Sequence, residues 1–475
     1  MPVSYRLTED PIPGLLTRLA APASIGFFFN TMFNVIDTYW GGRISTDALA
    51  ALSLSFPVFI VILAAGAGIG SGTNALIANA IGGGRRERAV HYQAQAVSLA
   101  LIVVVLVGVP LYIGLPSIFR FLNAEGELLQ SALRYARVIV AGSPILVLNH
   151  VVNSGLTARG DTRSFRNFLI LGFVLNIGLD PVLMFGVSLR GVTLIPAMAE
   201  AGIALATVVI QCVGLVYLVR RSMTERTFAG CGVRGFIPTR EYFREIGGQG
   251  FPSAMNMMTM ALGTFVITFF ISRYGRDPVA AYGAAIRIEQ IALIPTIGLN
   301  IALATIVGQN NGAGLIDRVV QGYRTSLLLG LVIMVAVLTP VLLFARPLLG
   351  IFTDNPEVIR IGLSYLYIEA VTFYSYVVIN QANSVMQGVK RPGMILWIAI
   401  YRQIAAPFVV FPLLTETVGL GVNGVWWGLA VVNWTAALFA LLHARSCIRR
   451  ARAWASVSGT QLSPRSVSPE QSRPE

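Results

Sequence analysis

Residues 171–185 read LGFVLNIGLDPVLMF, an apolar stretch that carries Asn176, Asp180 and Pro181. A carboxylate near the middle of a bilayer costs roughly 2.5–3.5 kcal/mol on insertion scales, and such groups mark ion or substrate pathways. Asn176 and Asp180 are four residues apart, so a helix stacks them on one face. Pro181 has no N–H and frees the carbonyl of Ile177 on the preceding turn. A polar notch of this kind is tolerated where it faces a water-filled cavity or another helix. A second isolated acid, Asp37, lies in the first apolar run. Two carboxyl groups that meet across a cavity titrate as a unit and can hold a proton near neutral pH. The residues therefore predict a proton-coupled transport site at Asp37, Asn176 and Asp180. The plainer alternative is that each acid only hydrogen-bonds within a helix bundle.

The elements that must position this site are membrane helices. The 475-residue chain is 55% hydrophobic and 12% charged, with a mean hydropathy of +0.70, outside the range of ordinary soluble proteins. Runs long enough to cross a bilayer recur near 15–39, 51–76, 92–115, 133–156, 164–187, 201–219, 248–272, 279–305, 322–345, 360–387, 394–414 and 423–444. The predicted class is an all-α polytopic membrane protein with twelve transmembrane helices. The net charge of +13 falls between these runs and not on one soluble face, which argues against a nucleic-acid partner. Cys212, Cys231 and Cys447 form no CxxC, and His91, His150 and His443 are dispersed, so neither a disulfide framework nor a metal site is expected. The histidines read as interfacial or packing residues. No P-loop is present, so the chain does not use ATP itself. Single acids and scattered histidines also argue against a membrane enzyme, which needs clustered ligands or acid–base groups. No cofactor is expected. The expected partners are the lipid bilayer and small organic molecules, with the chain acting as a monomer.

Most of the 35 basic residues lie in the connections on the side of the N-terminus, including Arg85, Arg86 and Arg88, and Arg220 through Arg244. The positive-inside rule then places both termini in the cytoplasm. A shift of 230 positions matches Pro22 with Pro252, Asp47 with Asp277, Gly68 with Gly298, Gly84 with Gly314, Arg88 with Arg318, Pro110 with Pro340 and Tyr135 with Tyr365. Six spans per half is an even number. The two six-helix bundles should therefore form a parallel repeat, related by a pseudo-twofold along the membrane normal, with a cavity between them. The expected organisation is a cytoplasmic N-terminus (1–14), an N-lobe (15–220), a cytoplasmic linker (221–247), a C-lobe (248–445) and a disordered cytoplasmic tail (446–475).

Six-plus-six spans, a Pro in the opening span of each half, NVIDT around Asp37, RGDTR at 159–163 and NIGLDP at 176–181 resemble the multidrug and toxic compound extrusion (MATE) family over about residues 15–445. The resemblance implies efflux of amphipathic, often cationic organic compounds across a bacterial or archaeal plasma membrane, in exchange for H⁺ or Na⁺. It places Asp37, Asn176 and Asp180 at proton-site positions, and Tyr135, Asn153 and Thr207 along the same cavity. Sodium-dependent members carry carboxylates in spans seven and ten, where this chain has Met260 and Tyr376, both expected to line the substrate cavity. That departure looks like the DinF-like prokaryotic branch and argues for H⁺, with Na⁺ coupling as the alternative. A lipid-linked oligosaccharide flippase of the wider superfamily is a second alternative, but it would need cavity arginines for a pyrophosphate.

Four further charges fall inside second-half spans: Arg287, Glu289, Glu369 and Arg402. Two acids and two bases balance, which suggests a structural ion-pair cluster. The alternative is that Glu289 or Glu369 is a second coupling or substrate group. Met255, Met257, Met258 and Met260 crowd span seven, where soft side chains could line a promiscuous cavity wall opposite Phe27, Phe28 and Phe29. Met257 and Met260 are the cavity candidates, and lipid contact or packing is the alternative for the rest.

Overall fold

The computed structural model describes residues 6–189 and 192–457. Twelve helices among the described residues are long and apolar enough to cross a membrane. They are numbered here as spans in chain order: span 1 (Ile12–Ile44), span 2 (Thr46–Gly82), span 3 (Arg86–Phe121), span 4 (Gly126–Ala158), span 5 (Arg163–Phe185), span 6 (Ala199–Thr224), span 7 (Arg240–Ser272), span 8 (Arg276–Gly312), span 9 (Ile316–Leu343), span 10 (Pro356–Gly388), span 11 (Gly393–Thr417) and span 12 (Val422–Ser456). Each predicted apolar run lies within or overlaps one of these helices. The helices extend beyond the runs because polar turns continue them past the hydrocarbon layer.

Three features depart from the expectation. A two-stranded antiparallel hairpin, Val187–Leu189 with Val192–Ile195, joins spans 5 and 6. Span 11 is interrupted by wider π turns at Tyr401–Ala405 and Leu413–Thr417. Pro407 and Pro412 cannot donate backbone hydrogen bonds there, and the Ala406 N–H reaches back five residues to the Tyr401 carbonyl. Residues 446–456, expected to be disordered, continue span 12 as helix, because Cys447 and Ile448 are buried and Arg452 pairs with Asp317. The rest of the predicted tail, from 458 on, lies outside the described residues.

The packing crosses the division between halves. Leu7, Ile12, Leu15, Leu16 and Leu19 are buried in one core with Leu299, Leu303, Ile306, Ile379 and Val385 of the second half. Ile246, at the start of span 7, is buried in the first-half core with Ala80, Ala89 and Tyr92. Each half thus begins its opening span inside the other half's core. The residues expected to form a free N-terminus are held by Asn310, which donates to the Leu7 carbonyl at 3.0 Å, and by Arg318, which donates to the Asp10 carbonyl at 2.7 Å. Between the halves, Gln95 at 2.7 Å and Ser98 at 2.6 Å donate to linker carbonyls at Gly235 and Phe236.

The 230-residue repeat reappears as symmetric contacts. A Cβ on Gly82 would run into the Gln309 carbonyl, and one on Gly312 into that of Asn79. A Cβ on Gly68 would meet Gly250 and Ala254, and one on Gly298 would meet Ala20 and Ser24. In each pair of contacts the partners are related by the same shift. Missing side chains let two backbones approach where helices cross. Asn79 adds a 2.7 Å bond to the Gly388 carbonyl and accepts from Asn311 at 2.7 Å. Among the described residues, the hydrogen bonds between lobes lie at or on the terminus side of the Ser24–Pro295 bond (3.0 Å). The lobes are therefore sealed on the side of the termini and parted on the other.

Gly82→Ala is expected to pry this seal open. Spin labels at Glu87 and Arg324, one on each lobe near the termini, should report a longer separation in this variant. Gly14→Ala, whose Cβ meets nothing within 4 Å, should leave that separation unchanged.

Candidate functional site

Spans 1 and 5 pack side by side and bring together residues 139 positions apart. Asn176 donates from its amide to one carboxyl oxygen of Asp37 at 2.9 Å. Asp180, one turn further along span 5, is fully buried with Asn176, and Asp37 is only 8% exposed. The Thr207 hydroxyl of span 6 donates to the Ile203 carbonyl at 3.3 Å. Thr207 and Tyr135 of span 4 line the same cavity as Asp37. Both oxygens of Asp180 are buried without a hydrogen-bond donor. The helix runs on through Pro181 to Phe185. Span 5 thus buries Asn176 and Asp180 on one face while Val174 and Ile177 are exposed on another.

This group opens onto a cavity of about 1040 Å³ between the lobes. Asp37, Tyr135, Asn153 and Thr207 line its first-half wall, and Met257 lines the second-half wall. Asp180 and Asn176 sit behind Asp37, out of the lining. Met260 does not line the cavity and is 50% exposed on the outer face of span 7. Tyr376 is also outside the lining, directed into a separate cluster in the second half. Of the three neighbouring phenylalanines, Phe27 lines the cavity, Phe28 is exposed and Phe29 packs on Phe173.

The expected ion-pair cluster takes a different form. Arg287 is exposed, with its guanidinium over the Phe352 ring, apart from the other three. Arg402 lies over the Tyr376 ring, 5.4 Å from its centre, and makes no ion pair within 4 Å among the described residues. Tyr365 donates to Glu289 at 2.6 Å, while both Glu369 oxygens are buried without a donor. Charge balance in the sequence carried no information about rotation. Glu289 and Arg287 are two apart on span 8 and face opposite ways.

Sequence reasoning missed most of the cavity's chemistry. Its wall is rich in amides from both lobes, among them Asn30, Asn149, Asn256, Asn300 and Asn380. His150, expected to be a packing residue, also lines it. Asp37 is the one carboxylate, and Lys and Arg are absent from the described lining. Amides recurring within apolar spans were the available signal. Such a surface offers donors and acceptors in many directions, with phenylalanine faces such as Phe33, Phe59 and Phe165 between them.

Comparison with known proteins agrees with this architecture. The MatE family model matches residues 22–182 and again 252–413. The two matches begin 230 residues apart, the shift seen in the sequence. The chain is 29% identical over 437 residues to the probable multidrug resistance protein NorM of Thermotoga maritima, covering 89% of this chain and 90% of that one. It is 28% identical over 361 residues to the FAD transporter of Shewanella oneidensis, covering 75% and 78%. Among solved structures, the outward-facing conformation of a multidrug resistance MATE family transporter superimposes with a TM-score of 0.87 at 27% identity, covering 95% of this chain and 99% of that one. With matches spanning most of both halves and a shared twelve-helix architecture, the chain belongs to the MatE family of membrane transporters.

Proposed function

We propose that this transporter is a proton-coupled efflux antiporter for amphipathic organic compounds, neutral or cationic, working by alternating access. The observation that carries the reading is the buried pair of acids, Asp37 on the cavity wall and Asp180 behind it, with both Asp180 oxygens lacking a protein donor. One proton completes such a pair, because a carboxylic acid O–H on one residue donates to the carboxylate of the other. A hard cation needs about six oxygen ligands, and the side chain bonded to this pair among the described residues is Asn176.

In this reading both termini are cytoplasmic, the membrane is the plasma membrane, and the parted side of the lobes faces outward. An anionic Asp37 holds a cationic passenger in the cavity. A proton entering from outside forms an O–H bond on Asp37, which takes the pair from −2 to −1 and leaves the remaining anion on Asp180 behind the wall; the charge facing the passenger is gone and the passenger leaves. Closure of the outer side and opening of the seal then deliver the proton to the cytoplasm. Asn176 keeps Asp37 oriented toward Asp180 through its amide.

The relative named as an FAD transporter raises a second reading, an anionic passenger. A cavity lined without Lys or Arg among the described residues would leave its phosphates unpaired, and burying unpaired charge is costly. The same objection applies to a lipid-linked pyrophosphate, since Arg287 and Arg402 both lie outside the lining. A neutral or cationic passenger is therefore favoured.

In proteoliposomes, an imposed pH gradient should drive counter-movement of an ethidium-like dye, and a sodium gradient alone should not. Dye movement under sodium alone, with pH clamped, would overturn proton coupling. Asp37→Asn and Asp180→Asn should each reduce pH-driven transport to background at wild-type expression, and Asn176→Ala should slow it by about tenfold, the loss of one hydrogen bond to a charged group. Full activity in both aspartate variants removes the pair from the mechanism. FAD at equal concentration should leave dye transport unchanged.

A further inference from the structure

On the sealed side, outside the cavity, a crevice of about 900 Å³ lies between the start of span 7 and the connection from span 10 to span 11. Arg240, Arg244, Gln249, Lys390 and Arg391 form its walls. Glu241 and Glu245 are also present and share one cation outside the lining, so the four cations of the walls outnumber the acids. Arg88 of the first half pairs with them at 3.2 and 2.8 Å, and Tyr92 donates to Glu245. Arg240, Arg244, Lys390 and Arg391 have no ion pair among the described residues.

The backbone fixes this arrangement. Lys390 adopts a left-handed conformation, φ 59°, which is costly for a residue with a side chain. Gln249 donates to its carbonyl at 3.1 Å, and the Arg391 N–H bonds to the Met386 carbonyl at 2.7 Å. Partial burial, and then Arg85 across the seam, lower the Lys390 ammonium from its ordinary value, with Glu245 opposing. Arg240 and Arg244, on the part of span 7 that Ile246 anchors in the first-half core, therefore face Lys390 and Arg391 of the second half across the crevice, next to the Asn79–Gly388 contact that closes the seal.

Apolar surface continues from the crevice toward the membrane. On span 7, Arg244, Gly248 and Phe251 follow at helical spacing, and Phe251 is 57% exposed. On span 11, Trp397 is one turn beyond Gly393 and is 64% exposed. Spans 7 and 11 pack against each other, and Gly248 and Gly393 both line the crevice, so each exposed aromatic follows one turn after a crevice residue. A ligand that fits has an anionic head and apolar tails.

We propose that this crevice binds the phosphate of an anionic phospholipid, whose acyl chains lie along Phe251 and Trp397, and that the bound headgroup holds the two lobes together at the sealed end. A phosphate between Arg240 and Arg244, on the end of span 7 held in the first-half core, and Lys390 and Arg391 of the second half replaces repulsion across the seam by attraction to a shared anion. A soluble phosphate satisfies the cations but not the aromatic surface.

The test uses the full-length purified chain and the triple variant Arg244→Gln, Lys390→Gln, Arg391→Gln, none of whose positions lines the cavity. Native mass spectrometry counts bound phosphatidylglycerol against phosphatidylcholine. The expected result is a wild-type preference for phosphatidylglycerol that falls roughly fivefold for each cation removed, the scale of basic residues at an anionic surface. Spin labels at Glu87 and Arg324 should report a narrower, shorter separation in phosphatidylglycerol vesicles than in phosphatidylcholine vesicles for the wild type, and no difference for the variant. Equal binding of the two lipids by the wild type, a preference that survives in the triple variant, displacement by equimolar inorganic phosphate, or an unchanged label separation would each overturn the proposal. A variant that fails to fold is replaced by Lys390→Gln alone, for which a roughly fivefold loss is expected and an unchanged preference overturns the site.

Discussion

Backbone meets backbone at the sealed end of this transporter, and the arrangement of the rest follows from that. Gly82 lies on the Gln309 carbonyl and Gly312 on that of Asn79. A methyl group at either glycine would collide with a carbonyl that has little freedom to retreat. The two six-helix bundles touch this closely at one end, and toward the other their hydrogen bonds to each other cease and the cavity lies between them. The cavity, its opening away from the termini, and the access of Asp37 to that cavity are consequences of where the two backbones meet. The contact is made twice, by equivalent residues, so the repeat in the sequence is also a mechanical symmetry.

Spans 1 and 7 extend the same idea. The first turns of span 1 are buried in the second half's core, while Asp37, further along the helix, is buried against span 5 of the first half. One continuous helix thus has an end in each lobe. Any change in how Asp37 sits against Asn176 and Asp180 acts on an element that the other lobe also holds. This is a physical route from a buried carboxyl group to the position of the lobes, and it needs no relay of intermediate residues.

The cavity's composition sets the chemistry of what can enter. Amides and aromatic faces bind through many weak, adaptable contacts. Asp37 is the single carboxylate of the described lining. The second-half cluster of Glu289, Glu369, Tyr365 and Arg402 lies apart from this space, buried among aromatic rings such as Tyr282 and Trp426. Its residues come from spans 8, 10 and 11, whereas the first-half acids come from spans 1 and 5. The backbone repeat has kept its symmetry, and the buried charges have not.

The sequence by itself determined the twelve crossings, the repeat, and the identity of the acids that do not belong in a bilayer. Each of these is a local or periodic property: hydrophobic length, a constant shift, or a charge within an apolar run. Tertiary structure alone decided which way each helix turns. The spans are apolar on nearly every face, so hydropathy does not say which side meets a cavity, a neighbour or lipid. For that reason Met257 and Met260, three residues apart, separated into cavity wall and outer surface, Arg287 turned away from Glu289, and the amide lining went unseen. Asp37 and Asp180 could be recognised one at a time along the chain. Their meeting depended on spans 1 and 5 packing together, and that contact is fixed by the summed shape of two bundles and not by any residue near either acid.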